Sequence, residues 1–209
     1  MSAFDAPPAE TAARAAAWPI TDGGWLVRHG ESSGNVAGMV QGQSGGHGLT
    51  AAGHGQAAAL AETFPTGLAV RVYVSDLPRT RLTAGPLAAR LRLRPVPVEA
   101  LRERNLGVLE GTPWSDADPA ATGIAGDVVC DPDASPVGGE SIADLASRVL
   151  AALEEIVERH RGTGVRPVVV THGGPIRVAL ARQAGIPLLG LRWDAVPHAQ
   201  PLPYRGGQN

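Results

Sequence analysis

Lysine is absent from this sequence, and all 18 of its basic residues are arginine. The absence excludes three kinds of site: a P-loop lysine, a Schiff-base lysine and the ATP-binding lysine of a kinase. With 20 acidic residues the formal net charge is −2, which does not indicate nucleic acid as a partner. Any anion that the protein binds must therefore be held by arginine, histidine, hydroxyl groups or backbone N–H groups.

Cysteine and long apolar runs are scarce as well. Cys130 is the one cysteine, which excludes an internal disulfide and a zinc or iron–sulfur site built from several cysteines. No group of histidine, aspartate and glutamate has the spacing of metal ligands, so we predict no metal and no cofactor. No segment approaches the ~18 uncharged apolar residues that cross a membrane, and the first residues lack the pattern of a signal peptide. We therefore predict a cytoplasmic protein without a membrane partner.

The length of 209 residues is enough to bury a full hydrophobic core. Residues 1–22 contain three prolines and no strand-like alternation, which predicts a flexible N-terminal arm. Residues 23–209 contain no internal repeat and no linker. We predict that they form one catalytic domain.

Short apolar segments that end in polar residues dominate this domain. They predict buried strands at 25–27, 70–74 and 167–170, with a shorter strand at 95–98. Residues 34–48 are predicted to be a loop, and residues 112–137 a surface excursion and candidate lid.

The predicted helices lie between the strands. One is capped by Thr50, one covers about 77–91 with an interruption at Gly85 and Pro86, one runs from Ser141 to about residue 160, and one covers about 175–184. The alternation of strands and helices predicts an α/β fold, a three-layer α/β/α sandwich with a mostly parallel central sheet.

Two histidines follow predicted strands and precede a glycine. His29 and His172 are 143 positions apart, but the carboxyl ends of parallel strands meet at one edge of a sheet, so we expect both imidazoles there. Arg28 and Arg79 follow two of the strands and offer planar guanidinium groups that suit an oxyanion such as phosphate. A neutral imidazole is a good nucleophile near pH 7. The pattern therefore indicates phosphoryl transfer to a histidine.

Five segments resemble, in order, the sequence blocks of the histidine phosphatase superfamily, which includes the phosphoglycerate mutases and the bacterial broad-specificity phosphatases. The segments are LVRHGESSGN, SDLPRTRLTA, LRERNLGVLEG, GGES and VVVTHGGPIR, and the resemblance covers roughly residues 24–185. It implies a phosphoglycerate mutase-like fold and an enzyme that needs no metal and works through a phosphohistidine.

The resemblance also implies roles for individual residues. His29 resembles the nucleophile, Glu103 the acid that protonates the leaving oxygen, and His172 the second histidine of the pocket. Arg28, Arg79 and Asn35, together with His172, resemble the residues that bind the phosphate oxygens. Candidate substrate contacts are Ser32, Gln41, Gly42 and Gly173.

The sequence departs from the family pattern in two places. Residues 45–50 read GGHGLT where an aspartate before Pro-Leu-Thr is common, and residues 196–200 read VPHAQ where an Asn-Ala-Ser-like segment is expected. These differences concern the walls that face the substrate and leave the phosphate pocket intact. His47, His54, His160 and His198 have no motif support and are expected on the surface or in loops.

Three functions are compatible with these residues. Residues 112–137 contain no arginine, so the carboxylate clamp of a mutase is missing where the family would place it, and hydrolysis of a small phosphorylated metabolite is favoured. The alternatives are phosphoglycerate mutase-type transfer and a weakly active, phospho-ligand-binding member. We expect a partly apolar mouth lined by Leu109, Trp114, Val128 and Val129. The sequence leaves a homo-oligomer open.

Overall fold

The computed structural model describes residues 23–206, and the predicted flexible arm at 1–22 lies outside the described residues. A five-stranded sheet organises these residues. Its strands, in chain order, are β1 (Gly24–Arg28), β2 (Val70–Val74), β3 (Val96–Pro97), β6 (Arg166–Thr171) and β7 (Pro201–Tyr204). The spatial order is β3-β2-β6-β1-β7; all neighbours pair in parallel except β1 and β7, which are antiparallel.

Helices cover both faces of the sheet. They are α1 (Ser33–Val36), α2 (Ala51–Thr63), α3 (Pro78–Leu91), α4 (Pro119–Thr122), α5 (Ile142–His160) and α6 (Gly173–Ala184). Successive strand residues point to opposite faces, so Trp25 and Val27 pack with α2 and α3, whereas Leu26 packs with α5 and α6. The two resulting hydrophobic cores confirm the predicted three-layer α/β/α fold.

The helix starts follow from local capping. The Thr50 hydroxyl accepts a hydrogen bond from Gly53 N at the start of α2. At the start of α5, Ser141 and Asp144 form the predicted capping box, in which each side chain bonds the other residue's backbone N–H. These caps confirm the predicted starts of both helices.

Two predictions about the helices are wrong. Helix α3 runs without a break through Pro86, which has no N–H to donate to the carbonyl of Leu82, because Ala84 and Leu87 on either side anchor the helix in the core. The predicted loop at 34–48 overlaps α1, which Ser32 caps.

Strand β7 was not predicted from the sequence. Pro201 and Pro203 argue against a strand, because proline lacks the N–H that a sheet ladder needs. The structure accommodates them because β7 lies at the edge of the sheet and pairs with β1 alone.

The excursion at residues 112–137 is tied to the domain by hydrogen bonds. It contains α4 and a small hairpin of β4 (Ile124–Ala125) and β5 (Val128–Val129). Val129 N donates to Leu191 O at 2.9 Å, and Gly190 N donates to Val129 O at 2.8 Å. The hairpin is thus attached to residues 190 and 191. Among residues 23–206, no helix is long and apolar enough to cross a bilayer.

The edge-to-face contact of Phe64 with Trp25, with ring centroids 5.3 Å apart, supports one of the two cores. We expect Phe64→Ala to lower the free energy of unfolding by about 3–5 kcal/mol, because it leaves a cavity beneath β1. Denaturant titration measures the loss. Leu82→Ala on the exposed face of α3 is the control and should change stability by less than about 0.5 kcal/mol. Equal effects of the two variants would contradict this assignment of the core.

Candidate active site

The carboxyl ends of three strands bring the predicted histidines together. His29 follows β1 and its backbone N–H donates to Thr171 O at 2.9 Å, which places it beside the end of β6. His172 follows β6, and its Nε2 lies 2.9 Å from Ser75 Oγ at the end of β2. The two imidazole centroids are 5.3 Å apart. Residues far apart in the chain thus share one edge of the sheet.

A backbone carbonyl fixes the tautomer of His29. Nδ1 of His29 lies 2.8 Å from the carbonyl oxygen of Gly30, which can only accept a hydrogen bond, so Nδ1 carries the proton and Nε2 keeps its lone pair. Burial holds the pKa of His29 well below its ordinary value of 6.5, and the charges of Arg79 and Arg28 lower it further. His29 is therefore neutral at physiological pH and has the protonation state of a nucleophile.

His172 is completely buried beside His29. Burial lowers its pKa well below the ordinary value, and the neighbouring charge of Arg79 adds to this effect. Its Nδ1 has no hydrogen-bond partner within residues 23–206. His172 is thus neutral in the free protein and offers a polar ring nitrogen beside His29.

Arg28 and Arg79 are held by backbone carbonyls. Arg28 Nη1 donates to Val196 O at 2.7 Å, and Arg79 Nη2 donates to Gly42 O at 2.7 Å. Burial lowers the pKa of Arg79 to about 10, which leaves it cationic at pH 7. The Nε atoms of both arginines are buried and unpartnered in the described part of the chain. Two fixed cations therefore face the histidine pair, as an oxyanion site requires.

The site opens into a cavity of about 500 Å³. Eight of the predicted site residues line it: Arg28, His29, Asn35, Gln41, Gly42, Arg79, Glu103 and Gly173. The rest of its wall includes Trp114, which was expected at the mouth, and residues without a predicted role, among them Met39, Arg104, Leu106, Ile124, Arg177 and Trp193. The cavity thus combines a cationic floor with a partly apolar mouth.

Glu103 is held at this cavity by backbone N–H groups. Its Oε1 accepts from Arg104 N at 2.8 Å and its Oε2 from Gly174 N at 3.1 Å, in the first turn of α6. A Cβ at Gly174 would lie 2.2 Å from Glu103 Oε1, so a larger residue there would displace the carboxyl group. Arg148 fixes the backbone by donating to Glu103 O at 2.8 Å. The carboxyl group therefore has a defined position among the cavity residues.

Ser32 does not line the cavity and supports residues that do. Its side chain is buried, and its Oγ lies 2.8 Å from Asn35 Oδ1 and 2.8 Å from Gln41 Oε1. Because Asn35 Oδ1 also accepts from Ser32 N, the amide nitrogen of Asn35 is left to donate to a ligand. The predicted direct contact of Ser32 with substrate therefore disagrees with its placement.

Comparison with known proteins agrees with this geometry. The sequence matches the histidine phosphatase superfamily, branch 1, over residues 25–200. The chain belongs to the histidine phosphatase superfamily. The predicted family is thereby confirmed.

Two relatives of this histidine phosphatase have different assigned activities. A metal-independent phosphoserine phosphatase of Arabidopsis thaliana is 39% identical over 163 residues, which cover 75% of this chain and 66% of that protein, just under two thirds of its length. A probable phosphoglycerate mutase GpmB of Yersinia enterocolitica is 33% identical over 177 residues, which cover 84% of this chain and 77% of that protein.

Solved structures of similar proteins share the fold. YhfR of Bacillus stearothermophilus superimposes with a TM-score of 0.72 at 29% identity, covering 83% of this chain and 84% of that one. A phosphoglycerate mutase of Thermus thermophilus superimposes with a TM-score of 0.63 at 32% identity, covering 86% and 90%.

His198 was expected on the surface or in a loop, and the structure places it half-buried in the irregular segment before β7, where it contacts the site. Its Nδ1 lies 2.8 Å from the carbonyl oxygen of His29, and the two rings are 5.7 Å apart. The adjoining Ala199 N donates to Arg28 O at 2.9 Å. The segment at 196–200, which departs from the family pattern, therefore contacts the backbone carbonyls of Arg28 and His29 and holds the nucleophile in place.

The expected lining of the mouth is partly wrong. Trp114 lines the cavity, but within residues 23–206 Leu109, Val128 and Val129 are not part of its wall. Val129 is instead buried in the core. Val129 and its register partner Ile124 lie on the same face of the hairpin and both join this core, and of the two it is Ile124 that also reaches the cavity wall.

Two arginines of the wall were missed by the sequence analysis. Arg104 donates to three carbonyls, those of Thr122, Ala134 and Glu140, and so binds the excursion to the cavity. Arg177 lies within the block VVVTHGGPIR, so the resemblance itself contained the one signal that could have identified it.

The buried histidine pair predicts a loss of stability in mild acid. Unfolded histidines take up protons as the pH falls below about 6.5, whereas folded His29 and His172 stay neutral, so the free energy of unfolding falls by up to about 1.4 kcal/mol per pH unit for each histidine until the pH reaches its folded-state pKa. Denaturant titrations between about pH 7.5 and about pH 5.5 measure the slope.

The matched variants are His29→Asn and His172→Asn. Each should lower the slope of the unfolding free energy against pH by up to about 1.4 kcal/mol per pH unit, the contribution of one histidine. His54→Asn removes an exposed histidine and should leave the slope unchanged. Stability that stays constant or rises on acidification in the wild type would contradict the assigned neutral states.

Proposed function

We propose that this histidine phosphatase hydrolyses small phosphate monoesters, without a metal, through a phosphohistidine on His29. The observation that carries the proposal is the fixed tautomer of a neutral His29, whose Nε2 adjoins His172 and two arginines in the cavity. A cytoplasmic location, the lack of nucleic-acid and membrane partners and a single domain at 23–209 stay predictions of the sequence, and a homo-oligomer stays open.

In the first step His29 Nε2 attacks phosphorus. The N–P bond forms as the bond from phosphorus to the ester oxygen breaks, and protonated Glu103 gives its proton to the leaving alkoxide. Arg28, Arg79, the Asn35 amide and His172 bind the oxygens on which charge develops. Their fixed positions mean that little reorganisation accompanies the reaction.

In the second step water attacks the phosphohistidine. The Glu103 carboxylate takes the proton from water, the P–N bond breaks, and inorganic phosphate leaves with His29 restored to its neutral state. Hydrolysis thus needs one nucleophile and one carboxyl group that acts first as acid and then as base.

A phosphoglycerate mutase is the second candidate, and the similarity to GpmB favours it. A mutase would return the phosphoryl group to the other hydroxyl of the bound acid. Incubation with 3-phosphoglycerate distinguishes the two, because hydrolysis releases phosphate while transfer yields 2-phosphoglycerate. A member that only binds phospho-ligands would do neither, although His29 and Glu103 in the cavity wall, with His172 beside His29, favour catalysis.

The nucleophile is tested by His29→Ala. With a chelator present, the wild type should release phosphate from O-phosphoserine or p-nitrophenyl phosphate, and the variant should lose at least about 1,000-fold in kcat/KM, because no other residue replaces the attacking nitrogen. Mass spectrometry of quenched wild-type enzyme should show an acid-labile phosphate on His29. His54→Ala is the exposed control. Full activity of His29→Ala would refute the mechanism.

The proton donor is tested by Glu103→Gln with two leaving groups. An alkoxide needs protonation and p-nitrophenolate does not, so kcat/KM, which reports the steps through cleavage of the ester bond, should fall by about 10²–10⁴ for an alkyl phosphate and by much less for p-nitrophenyl phosphate. Steady-state kinetics on both esters measure this difference. An equal loss with both would assign Glu103 another role.

A further inference from the structure

Arg177 is a desolvated cation of the cavity that the proposed mechanism does not use. It extends from α6, and its guanidinium lies over Gly173, where an added Cβ would come within 2.8 Å of Arg177 Nη1. Burial lowers its pKa to about 10, so it stays charged at pH 7. Burying a cation is costly unless it finds a partner, which makes its surroundings informative.

The surroundings fix Arg177 without neutralising it. Its Nε donates to Asp194 O at 2.7 Å, and its guanidinium lies over the ring of Trp193, 4.7 Å from the centroid. Within residues 23–206 no carboxylate lies at ion-pair distance from it. Because Nε is engaged, the Nη1 and Nη2 edge is the part left for a ligand, and two parallel N–H donors match a carboxylate.

Arg177 lies on the side of the cavity where the leaving group of the substrate would bind. Arg79 and Arg28 are the charges that most lower the pKa of His29, which places them at the attacked phosphate. The residues that open α6 connect Arg177 to Glu103, the proposed proton donor to the leaving oxygen: Arg177 Nη1 lies over Gly173, and the adjoining Gly174 N donates to Glu103 Oε2 at 3.1 Å. Arg177 and Trp193 therefore adjoin the part of the substrate that departs.

We propose that Arg177 binds a carboxylate on the leaving group, so that the preferred substrates are phosphate monoesters of small hydroxy carboxylic acids. The proposal rests on the proposed function. A single carboxylate fits better than a second phosphate, since the two N–H donors of the Arg177 edge match two carboxylate oxygens and Leu106, Trp114 and Ile124 make the mouth partly apolar. Arg177 would supply from α6 the anion contact that residues 112–137 lack.

Two pairs of esters that differ in the carboxylate test the proposal: O-phosphoserine with phosphoethanolamine, and 3-phosphoglycerate with glycerol 3-phosphate. The wild type should prefer the acid of at least one pair. Arg177→Ala should lower kcat/KM for that acid by about 10–100-fold, mainly through KM, and change the ester without carboxylate by less than about 3-fold. Arg177→Lys should restore part of the preference, and Arg182→Ala on the exposed side of α6 should have no effect.

Other results overturn the proposal. An equal loss of kcat/KM on both members of a pair would show that Arg177 binds the phosphate or supports the structure. An unchanged kcat/KM on both members would show that Arg177 does not contact the substrate. If the wild type hydrolyses none of the esters, the proposed function fails, and ligand-induced shifts in melting temperature then test Arg177 separately. The wild type must be stabilised more by the acid than by its partner, and Arg177→Ala must lose that difference; otherwise the proposal falls.

Discussion

The in-register parallel pairing of β1 with β6 is the constraint on which the site depends. It sets Arg28 opposite Thr171 and is extended by the hydrogen bond from His29 N to Thr171 O, so the next residue on each strand is a histidine at the same edge. Shifting this register by one residue would turn every side chain to the opposite face. The hydrophobic cores on both sides of the sheet therefore fix the distance between the two imidazoles.

Burial of neutral histidines and fixed arginines together gives this edge its chemistry. Water exclusion keeps His29 and His172 unprotonated, and the arginines add to that effect while they stay charged themselves. Each guanidinium has several donors, so Arg28, Arg79 and Arg177 bind backbone carbonyls and still present N–H groups to a ligand. A lysine ammonium at these three positions lacks the planar set of N–H donors that binds a backbone carbonyl and a ligand at once. This difference accounts for arginine at the three positions.

The outer wall is built from segments distant in the chain. The excursion at 112–137 is bound through Arg104 and through the hydrogen bonds of Val129 to residues 190 and 191, and the following Trp193 stacks on Arg177. The residues proposed to bind the phosphate and those proposed to face the leaving group are thus held by different segments of the chain. Changes in the wall can alter the accepted substrate without moving His29.

The features that the sequence predicted depend on interactions between residues that are close in the chain. Alternation and apolar runs identified β1, β2 and β6, caps identified the starts of α2 and α5, and residues at strand ends identified His29 and His172 as neighbours. The contact of His198 with His29 across 169 positions, the edge position of β7 and the placement of Arg177 over Gly173 were decided by the tertiary structure alone. A strand or a cap depends on interactions between residues close in sequence, whereas these contacts depend on how whole elements pack, and no short pattern encodes that packing.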